Sequence, residues 1–212
     1  KSVTTIGEYA FRYCSQLNTI TVDKDNSVYS IVDGALIENK NDIERLILYP
    51  QANEEREIYT IPSDVTIIDG YAFYNQQKLK YIEMNDKVKI INEYAFHGMT
   101  QLRTITIPAS VTTIKEIDGE NGTLFLRMES AIPPALAKAT NLAKDDVLIV
   151  PEGAAEAYKK HPAWGKFKNI SEDPSLNKDS VPSSSNKVGS NIAQNILAFF
   201  TTIYFFSSKS DT

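Results

Sequence analysis

The amino-acid sequence predicts an α/β-type, strand-rich repeat solenoid of 23-residue coils with a C-terminal cap. Residues 3–22, 65–84 and 88–107 are copies of one pattern, and a weaker copy covers residues 111–128. The last three copies begin 23 residues apart. A period in the twenties is typical of solenoids whose stacked coils share one core. The three clear copies also end in alternating apolar and polar residues, which is the pattern of a half-buried strand.

Each copy opens with a short apolar run and then turns a corner. The run has the form Val-x-x-Ile and precedes Tyr-Ala-Phe, as in residues 65–73. The repeated alanine is small enough to let coils stack closely, and the repeated phenylalanine is the largest core residue. We therefore expect a ladder of alanines (Ala10, Ala72, Ala95) and a ladder of phenylalanines (Phe11, Phe73, Phe96) along the solenoid axis.

The end of each copy is predicted to be a strand. In the second copy, Ile82 and Met84 are apolar and Glu83 between them is polar, so one face is buried and the other is exposed. Pro62 and Pro108 follow such runs at equivalent points. Because proline has no backbone N–H to donate, it ends a strand and marks the corner between coils.

The copies share the pattern V-T-x-I-x-x-Y-A-F-x-x-x-x-x-L-x-x-I-x-I-P. It resembles the leucine-rich repeat of the BspA-like class, which occurs in surface proteins of anaerobic bacteria and of some parasitic protists. The resemblance implies that residues 1–128 form a leucine-rich repeat solenoid. BspA-like proteins are associated with attachment to host extracellular matrix and to other cells. The resemblance therefore also implies a non-enzymatic adhesin.

An insert at residues 23–64 separates the first two copies. Asp33-Gly34 and residues 39–42 (NKND) are turn signals on either side of an apolar run. The segment from Asn26 to Pro50 resembles the longer variant coil of the family. We expect the insert to form an extra hairpin pair within the solenoid.

Residues 129–170 are predicted to form a capping module. Leu148–Pro151 has the composition of a strand, and Pro151 and Glu152 are suited to open a short helix around Ala154–Lys160. The segment resembles the terminal module of bacterial family members. We expect four of its residues to cover the last coil: Tyr158, Trp164, Phe167 and Ile170. At the other end, Lys1 directly precedes a repeat, so we expect further coils or a cap upstream.

Residues 171–191 are rich in polar side chains and are predicted to be a disordered linker. They lead to a hydrophobic tail at residues 192–212. Its apolar part, Ile192–Phe206, would span about 22 Å as a helix, which is less than the roughly 30 Å hydrocarbon core of a membrane. Three interpretations stay open: a membrane anchor, a lipid-anchor signal after Ser183–Ser185, or a partly buried or disordered tail.

Composition excludes several classes of protein. The net charge is -5 and the sequence lacks a basic stripe, so it does not have the electrostatic footprint of a nucleic-acid-binding protein. One cysteine, Cys14, rules out an internal disulfide. We expect Cys14 to be partly buried, with a reactive thiol as the alternative. Sequons begin at Asn121 and Asn169 and matter only in a secreted eukaryotic protein.

Residues that carry chemistry are few. A catalytic centre needs a nucleophile or carboxylate pair beside a base or a metal. The two histidines, His97 and His161, lie in different modules, and His97 is expected to be an exposed corner residue. Residues 23–27 (DKDNS) begin like a calcium loop, but Val28 stands where glycine is required. We expect Asn26 to hydrogen-bond the local backbone instead. We therefore predict no enzymatic activity, no cofactor and no metal site.

The candidate binding surface is the outward face of the alternating runs. It consists of Thr19, Thr21, Tyr81, Glu83, Thr104 and Thr106. Coils stacked about 4.7–4.9 Å apart would align these side chains as a polar ladder. The alternative is that an exposed, threonine-rich strand is only a stable strand. Tyr81, with Tyr13 and Tyr74 in the corners, is the stronger candidate because exposed aromatic residues are enriched at interfaces.

These observations lead to a functional hypothesis. We predict a cell-surface or secreted, non-enzymatic binding module, an adhesin that recognises protein or glycan on host matrix or neighbouring cells. Ile192–Phe206 offers a route to membrane anchoring. A structural spacer that presents other domains away from the cell envelope is the alternative, and a regulatory receptor ectodomain is the third possibility. The spacer predicts no binding by this chain, whereas the binding module predicts saturable binding.

Overall fold

The structure is a computed structural model that describes residues 1–14, 16–50, 56–118 and 124–176. The described residues belong to one compact unit, residues 1–177. The sequon at Asn121, the later part of the predicted linker and the hydrophobic tail lie outside the described residues. The three interpretations of the tail therefore stay predictions.

The described residues form thirteen strands and one α-helix. In chain order the strands are β1 (Tyr29–Val32), β2 (Ala35–Lys40), β3 (Ile43–Leu48), β4 (Ile58–Thr60), β5 (Val65–Ile68), β6 (Tyr81–Glu83), β7 (Ile90–Ile91), β8 (Thr104–Ile107), β9 (Thr113–Asp118), β10 (Phe125–Met128), β11 (Ala135–Thr140), β12 (Val147–Pro151) and β13 (Asn169–Asp173). The helix α1 spans Ala155–Lys160, and short 3-10 turns follow at Trp164–Lys166 and Pro174–Leu176.

The strands build two sheets. Sheet A has the order β1-β2-β3-β5-β7-β9-β11, and sheet B has the order β4-β6-β8-β10-β12-β13. Apart from the antiparallel pairs β1–β2 and β2–β3, the neighbours are parallel. From β3 to β12 the chain passes alternately from sheet A to sheet B, so it winds through five coils in the described part. This arrangement confirms the predicted strand-rich solenoid.

The insert forms the predicted hairpin pair. Strands β1, β2 and β3 are antiparallel and are joined by two tight turns. Asp33 and Gly34 have φ angles of 46° and 84°, and Asn41 and Asp42 have φ angles of 54° and 60°. Positive φ at both central residues is typical of hairpin turns whose twist matches that of the strands. Glycine, asparagine and aspartate tolerate this backbone, and for that reason the turn signals were informative.

The repeat pattern places equivalent side chains in register through the core. Ile68, Ile91 and Ile114 pair across β5, β7 and β9, and all three are buried. The rings of Phe73 and Phe96 stack with centroids 5.7 Å apart. Ala72, Ala95, Phe73 and Phe96 are buried, as the predicted ladders require. Tyr49 in the insert extends the phenylalanine ladder, because its ring lies 5.7 Å from that of Phe73.

The first copy does not continue these ladders. Residues 1–14 and 16–22 form no strand, Ala10 is exposed and Phe11 is only partly buried. Phe11 packs instead on a separate cluster that contains Tyr29 and Leu48. Cys14 is exposed, so the expectation of a partly buried position was wrong. Within this sequence the coil of Cys14 has a neighbour on one side only. Gln76, which has the same place in the second copy, lies between two coils and donates to the Tyr49 carbonyl.

Polar side chains join the corners of successive coils. The Asn26 side-chain amide donates to the Val3 carbonyl at 3.0 Å, and its oxygen accepts from the backbone N–H of Val28 and Tyr29 at 2.9 and 2.8 Å. The predicted local role of Asn26 is therefore confirmed. Asn85 donates in the same way to the Pro62 carbonyl at 2.6 Å. The Asn169 side-chain amide likewise donates to backbone carbonyls of the preceding coil. We call Asn26, Asn85 and Asn169 the asparagine clips.

The sheets continue beyond Met128 although the repeat pattern fades there. Strand β11 pairs with β9, and β12 pairs with β10, so residues 135–151 form another coil. The helix and the turn after it pack on this part of the chain: Tyr158 donates its hydroxyl to the Ser130 carbonyl and Trp164 donates its ring N–H to the Pro134 carbonyl, both at 2.8 Å. Both side chains are buried in the core shared with the repeats.

The predicted linker begins later than composition suggested. Residues 171–173 belong to β13, which pairs with β12, and Pro174–Leu176 forms a 3-10 turn with Leu176 buried. The prediction of disorder was therefore wrong for residues 171–176. Strand pairing gives backbone N–H and C=O groups hydrogen-bond partners whatever the side chains are. A prediction from amino-acid composition does not take these backbone hydrogen bonds into account.

Candidate interaction surface

The outward face of sheet B is built by the alternation of its strands. In β6, β8 and β10 the second residues, which are Ile82, Ile105 and Leu126, point into the core and are buried. Their neighbours along each strand are half-buried and lie on the opposite face. Because the pairing is parallel and in register, equivalent outward residues of successive coils form lines across the sheet.

Two such lines run across sheet B. The first, which we call the apolar row, consists of Ile58, Tyr81, Thr104, Phe125 and Val147. Ile58 is 48% exposed, and the other four are half-buried. The second line, the polar row, contains the pairs Thr60–Glu83 and Thr106–Arg127. The outward face thus carries large apolar side chains beside polar ones.

The structure brings together only part of the predicted surface. Tyr81 and Thr104 are paired neighbours, and Glu83 and Thr106 lie on the same two strands. Thr19 and Thr21 are exposed but belong to no strand, and Ile58 of β4 pairs with Tyr81. The expectation that all six residues form one ladder was therefore wrong.

The predicted character of the surface was also incomplete. Ile58, Phe125 and Val147 were missed, and with them the apolar nature of the first line. Ile58 lies in the insert and Phe125 in the weakest copy, where Tyr-Ala-Phe is missing and alignment by that motif fails. A signal existed, because Ile58–Pro62 (IYTIP) repeats the strand-and-proline ending of the third copy, residues 104–108 (TITIP).

Polar contacts hold the side chains of the polar row. The Thr60 hydroxyl donates to Glu83 at 2.7 Å. Arg127 pairs with Asp173 of β13 at 2.9 Å, and both side chains are largely buried. Burial alone would raise the pKa of Asp173, but hydrogen bonds from Ser175 and the charge of Arg127 outweigh it and lower this pKa. The carboxylate is therefore ionised at neutral pH and neutralises the arginine at this end of the face.

A second feature lies at the corner after the first run of each copy. Six rings pack there: Tyr9, Tyr13, Tyr71, Tyr74, Tyr94 and His97, which we call the aromatic block. Tyr71 is its centre, with ring centroids of the other tyrosines 5.0 to 5.9 Å away. Tyr13 and Tyr74, predicted as corner candidates, are both members, 5.6 Å apart.

The backbone under the aromatic block is left-handed. Tyr9, Tyr71 and Tyr94, which are equivalent in the three copies, have φ angles of 60°, 62° and 58°. The next equivalent position with positive φ holds Tyr13, Asn75 and Gly98. This region costs a bulky residue about 1–2 kcal/mol, whereas glycine and asparagine tolerate it. Four tyrosines thus occupy strained positions that carry their rings to one corner.

Charged groups border the aromatic block. The Arg12 guanidinium lies 4.5 Å from the Tyr13 ring centroid and 5.1 Å from that of Tyr71, within the range of cation–π attraction. The Tyr9 hydroxyl donates to Glu93 at 2.6 Å. This hydrogen bond, with desolvation and the Glu93 charge, raises the pKa of Tyr9 to about 12. Tyr9 is therefore a neutral donor across the physiological pH range.

The two histidines have structural contacts. His97 was expected to be exposed, but its side chain is only 25% exposed and its Nδ1 lies 2.6 Å from an Asp118 oxygen. It also stacks on Tyr74. The expectation failed because Asp118, one coil further on, has no counterpart in the motif. His161 accepts hydrogen bonds from the backbone N–H groups of Ala163 and Trp164 at the end of α1.

Two further observations concern the described residues. Within them, histidine, cysteine, aspartate and glutamate nowhere cluster in groups of three or more that could hold a metal ion. Among the described residues, no helix is both long enough and apolar enough to cross a membrane.

Comparison with models of known protein families shows to which family this chain belongs. The BspA type leucine-rich repeat region, in six copies, matches residues 1–54 and 52–117. This chain belongs to that family. The match includes the hairpin insert, so the BspA-type coil accommodates both the short copies and the long one.

Solved structures share the BspA-type fold. A leucine-rich repeat protein from Eubacterium ventriosum is 25% identical with a TM-score of 0.61, and the alignment covers 81% of this chain and 46% of that one. The pneumococcal vaccine antigen PcpA is 18% identical with a TM-score of 0.52, covering 81% and 54%. The chain therefore spans about half the length of these structures. Comparison with curated proteins gives no match.

Proposed function

We propose that this chain is a non-enzymatic, cell-surface binding module and acts as an adhesin for a protein partner on host matrix or neighbouring cells. The outward face of sheet B is the proposed contact surface. The observation that carries this proposal is the apolar row, in which Ile58, Tyr81, Phe125 and Val147 present large side chains on the side of the sheet away from the core.

An outward strand face in a soluble protein is usually polar. The apolar row reverses this pattern on four of the five adjacent strands that it crosses, the exception being Thr104, and at about 4.8 Å per strand the row is about 19 Å long. Burying apolar surface against a partner stabilises a complex by about 25 cal/mol per Å² before the cost of association is subtracted. Tyrosine, here Tyr81, is a frequent energetic hot spot in such a patch.

The polar row gives the proposed surface an orientation. Glu83 lies on one side of the apolar row and is hydrogen-bonded to Thr60, and Arg127 is paired with Asp173 further along. Charges held in fixed positions at the rim of an apolar patch select partners more than they add affinity. This arrangement favours a folded protein surface over a flexible chain as the partner of sheet B.

The spacer hypothesis is supported by a different observation. Polar pairs such as Lys80–Glu57, Lys87–Asp64 and Asn92–Asp69 join residues 23 apart, so neighbouring coils are cross-linked along the axis. Such pairs add little free energy at the surface but keep the coils in register. A rigid rod suits a spacer as well as a binding module, so an experiment must separate the two.

The test is binding of the full chain to a panel of immobilised host matrix proteins and cell surfaces. The variant Ile58→Thr with Tyr81→Thr replaces two of the four apolar side chains of the row by threonine, a β-branched residue that suits a strand and that the row already contains at Thr104. The control, Thr19→Ala with Thr21→Ala, alters predicted residues that lie outside the sheet.

Saturable binding that weakens about tenfold or more in the row variant and stays within about twofold in the control supports the proposal. Equal binding by the row variant removes sheet B as the contact surface. Failure of the unmodified chain to bind any member of the panel favours the spacer. Thermal unfolding of each variant confirms that the fold is intact.

A further inference from the structure

The apolar row is symmetric in side-chain size about its central residue, Thr104. The direct neighbours of Thr104 in the row are Tyr81 on β6 and Phe125 on β10. One strand further out are Ile58 on β4 and Val147 on β12. A small side chain is thus flanked by two aromatic ones, and these are flanked by two aliphatic ones. The row has the same order of side-chain types in both directions.

The centre of the apolar row lies in the interior of sheet B. The strands β6, β8 and β10 each have a paired strand on both sides, so Tyr81, Thr104 and Phe125 are not edge residues. All three are half-buried on the outward face. Their partial exposure is therefore a property of the face of the sheet and not of its edges.

The charges of the polar row have opposite signs on the two sides of β8. Glu83 lies on β6 and Arg127 lies on β10, one strand before and one strand after Thr106. Glu83 accepts from the uncharged Thr60 hydroxyl, and Arg127 pairs with Asp173. A carboxylate accepts about four hydrogen bonds and a guanidinium donates about five, so these contacts do not exclude a further partner of opposite charge.

A surface with this pattern is complementary to itself. Two sheets that pack face to face, about 10 Å apart, can be related by a twofold axis in the plane between them. If the axis runs along β8, Tyr81 of one copy faces Phe125 of the other, and Glu83 faces Arg127. Thr104 then faces its own counterpart. The same axis brings Ile58 and Val147 together, so each type of side chain meets a suitable one.

The direction of the axis also follows from the two rows. An axis at right angles to the strands, midway between the rows, would place the apolar row of one copy against the polar row of the other. Matching of chemical character therefore favours the axis along β8. Because this axis is perpendicular to the direction in which the coils stack, the two solenoids run in opposite directions. Copies that project from two facing cells have this relative orientation.

We propose that the outward face of sheet B binds the same face of a second copy of this chain, about a twofold axis along β8. This inference rests on the proposed use of sheet B as the contact surface, and it names the partner as the same protein on a neighbouring cell. A strip about 19 Å long and two side chains wide covers less than the roughly 800 Å² per partner of a standard interface. One pair of copies should therefore bind weakly, and many pairs together would keep two cells attached.

The first test is sedimentation equilibrium of the full chain at a series of concentrations. Glu83→Lys places a positive charge opposite Arg127 of the second copy, and a twofold dimer contains this contact twice. Glu156→Lys is the matched control, because it makes the same change of charge on α1 at a side chain that is 72% exposed. Thermal unfolding of both variants checks that the fold is intact.

The second test measures the register of the two copies by crosslinking. Thr104→Cys places two thiols opposite each other across the axis. Thr60→Cys is the matched control on the same face, since its two counterparts would lie about 19 Å apart. Both changes are made in a Cys14→Ser background, because Cys14 is exposed. The variants are then treated with a short bis-maleimide crosslinker.

The proposal expects a monomer–dimer equilibrium with a Kd on the order of 10 μM, weakened about tenfold or more in Glu83→Lys and within about twofold in Glu156→Lys. It also expects crosslinked dimers of Thr104→Cys and none of Thr60→Cys. A chain that stays monomeric at about 1 mM, a dimer that is insensitive to Glu83→Lys, or equal crosslinking of the two cysteine variants overturns it.

The matrix-binding experiment separates this proposal from the proposed function. A monomeric chain that binds a matrix protein, and loses this binding in the Ile58→Thr, Tyr81→Thr variant, overturns the second copy as the partner and leaves sheet B as the contact surface. Absence of both self-association and matrix binding overturns both proposals.

Discussion

Replacing Asn85 tests whether the asparagine clips hold the coils in register. The Asn85 side-chain amide donates to the carbonyls of Pro62 at 2.6 Å and Val65 at 3.3 Å, and its oxygen accepts from the Lys87 backbone N–H at 2.7 Å. Asn85→Ala removes all three. Net hydrogen-bond contributions are about 0.5–1.5 kcal/mol each, and the longest bond is weak, so we expect a loss of about 2 kcal/mol. For a chain of this size the melting temperature falls by about 4–8 °C.

Urea unfolding monitored by the fluorescence of Trp164, a buried side chain and the sole tryptophan, measures this loss. Asn85→Asp separates the two halves of the clip, because it keeps the acceptor for Lys87 and cannot donate to Pro62. We expect it to retain only part of the stability. Lys87→Ala is the control, since its ion pair with Asp64 is exposed to solvent and adds little to stability. A free energy of unfolding for Asn85→Ala within about 0.5 kcal/mol of the unmodified chain would refute the reasoning.

Three other changes test packing and charge elsewhere in the chain. Phe73→Ala removes a fully buried ring and should lower the free energy of unfolding, measured by urea titration, by about 3–5 kcal/mol. Phe11→Ala removes a partly buried ring and should lower it clearly less. Equal losses in the two variants would contradict the assignment of Phe73 to the core. Gly165→Ala places a Cβ in steric overlap with the Lys159 carbonyl oxygen and should lower the melting temperature. An unchanged melting temperature would contradict this expectation. Because the pKa of Asp173 is lower in the folded chain than its value of about 3.9 in the unfolded chain, the ionised carboxylate stabilises the fold at pH values above about 3.9. This stabilisation should be lost as the pH falls through the folded pKa. In Asp173→Asn the free energy of unfolding should therefore depend less on pH in this acidic range.

The fold could be predicted because the repeat places the same kind of residue at the same point of each coil. Ile68, Ile91 and Ile114 are equivalent in sequence and paired in the structure, so a period in the sequence became a register in the sheet. The hairpin turns were equally legible, because few residue types tolerate the positive φ angles found at Asp33 and Asn41.

The remaining features depend on neighbours that one copy of the motif does not specify. Leu136 pairs with Ile114 and Leu148 pairs with Leu126, yet residues 135–151 lack Tyr-Ala-Phe, so this coil was not recognised as one. Cys14 has the same place in the motif as the buried Gln76, but it is exposed, whereas Gln76 lies between two coils and donates to the Tyr49 carbonyl. Alternation alone assigns a residue to a face and says nothing about how many coils cover it.

The candidate surfaces follow from the geometry of a solenoid. Stacking converts each position of the repeat into a line along the axis, so a surface is specified by what one position holds in successive copies. The position of Tyr9 holds tyrosine in all three clear copies and produces a continuous row of rings. The position of Tyr81 varies between Ile58, Thr104 and Phe125 on the paired strands, so the apolar row differs from coil to coil. A line whose side chains vary from coil to coil suits one particular folded partner, so we expect sheet B to be selective.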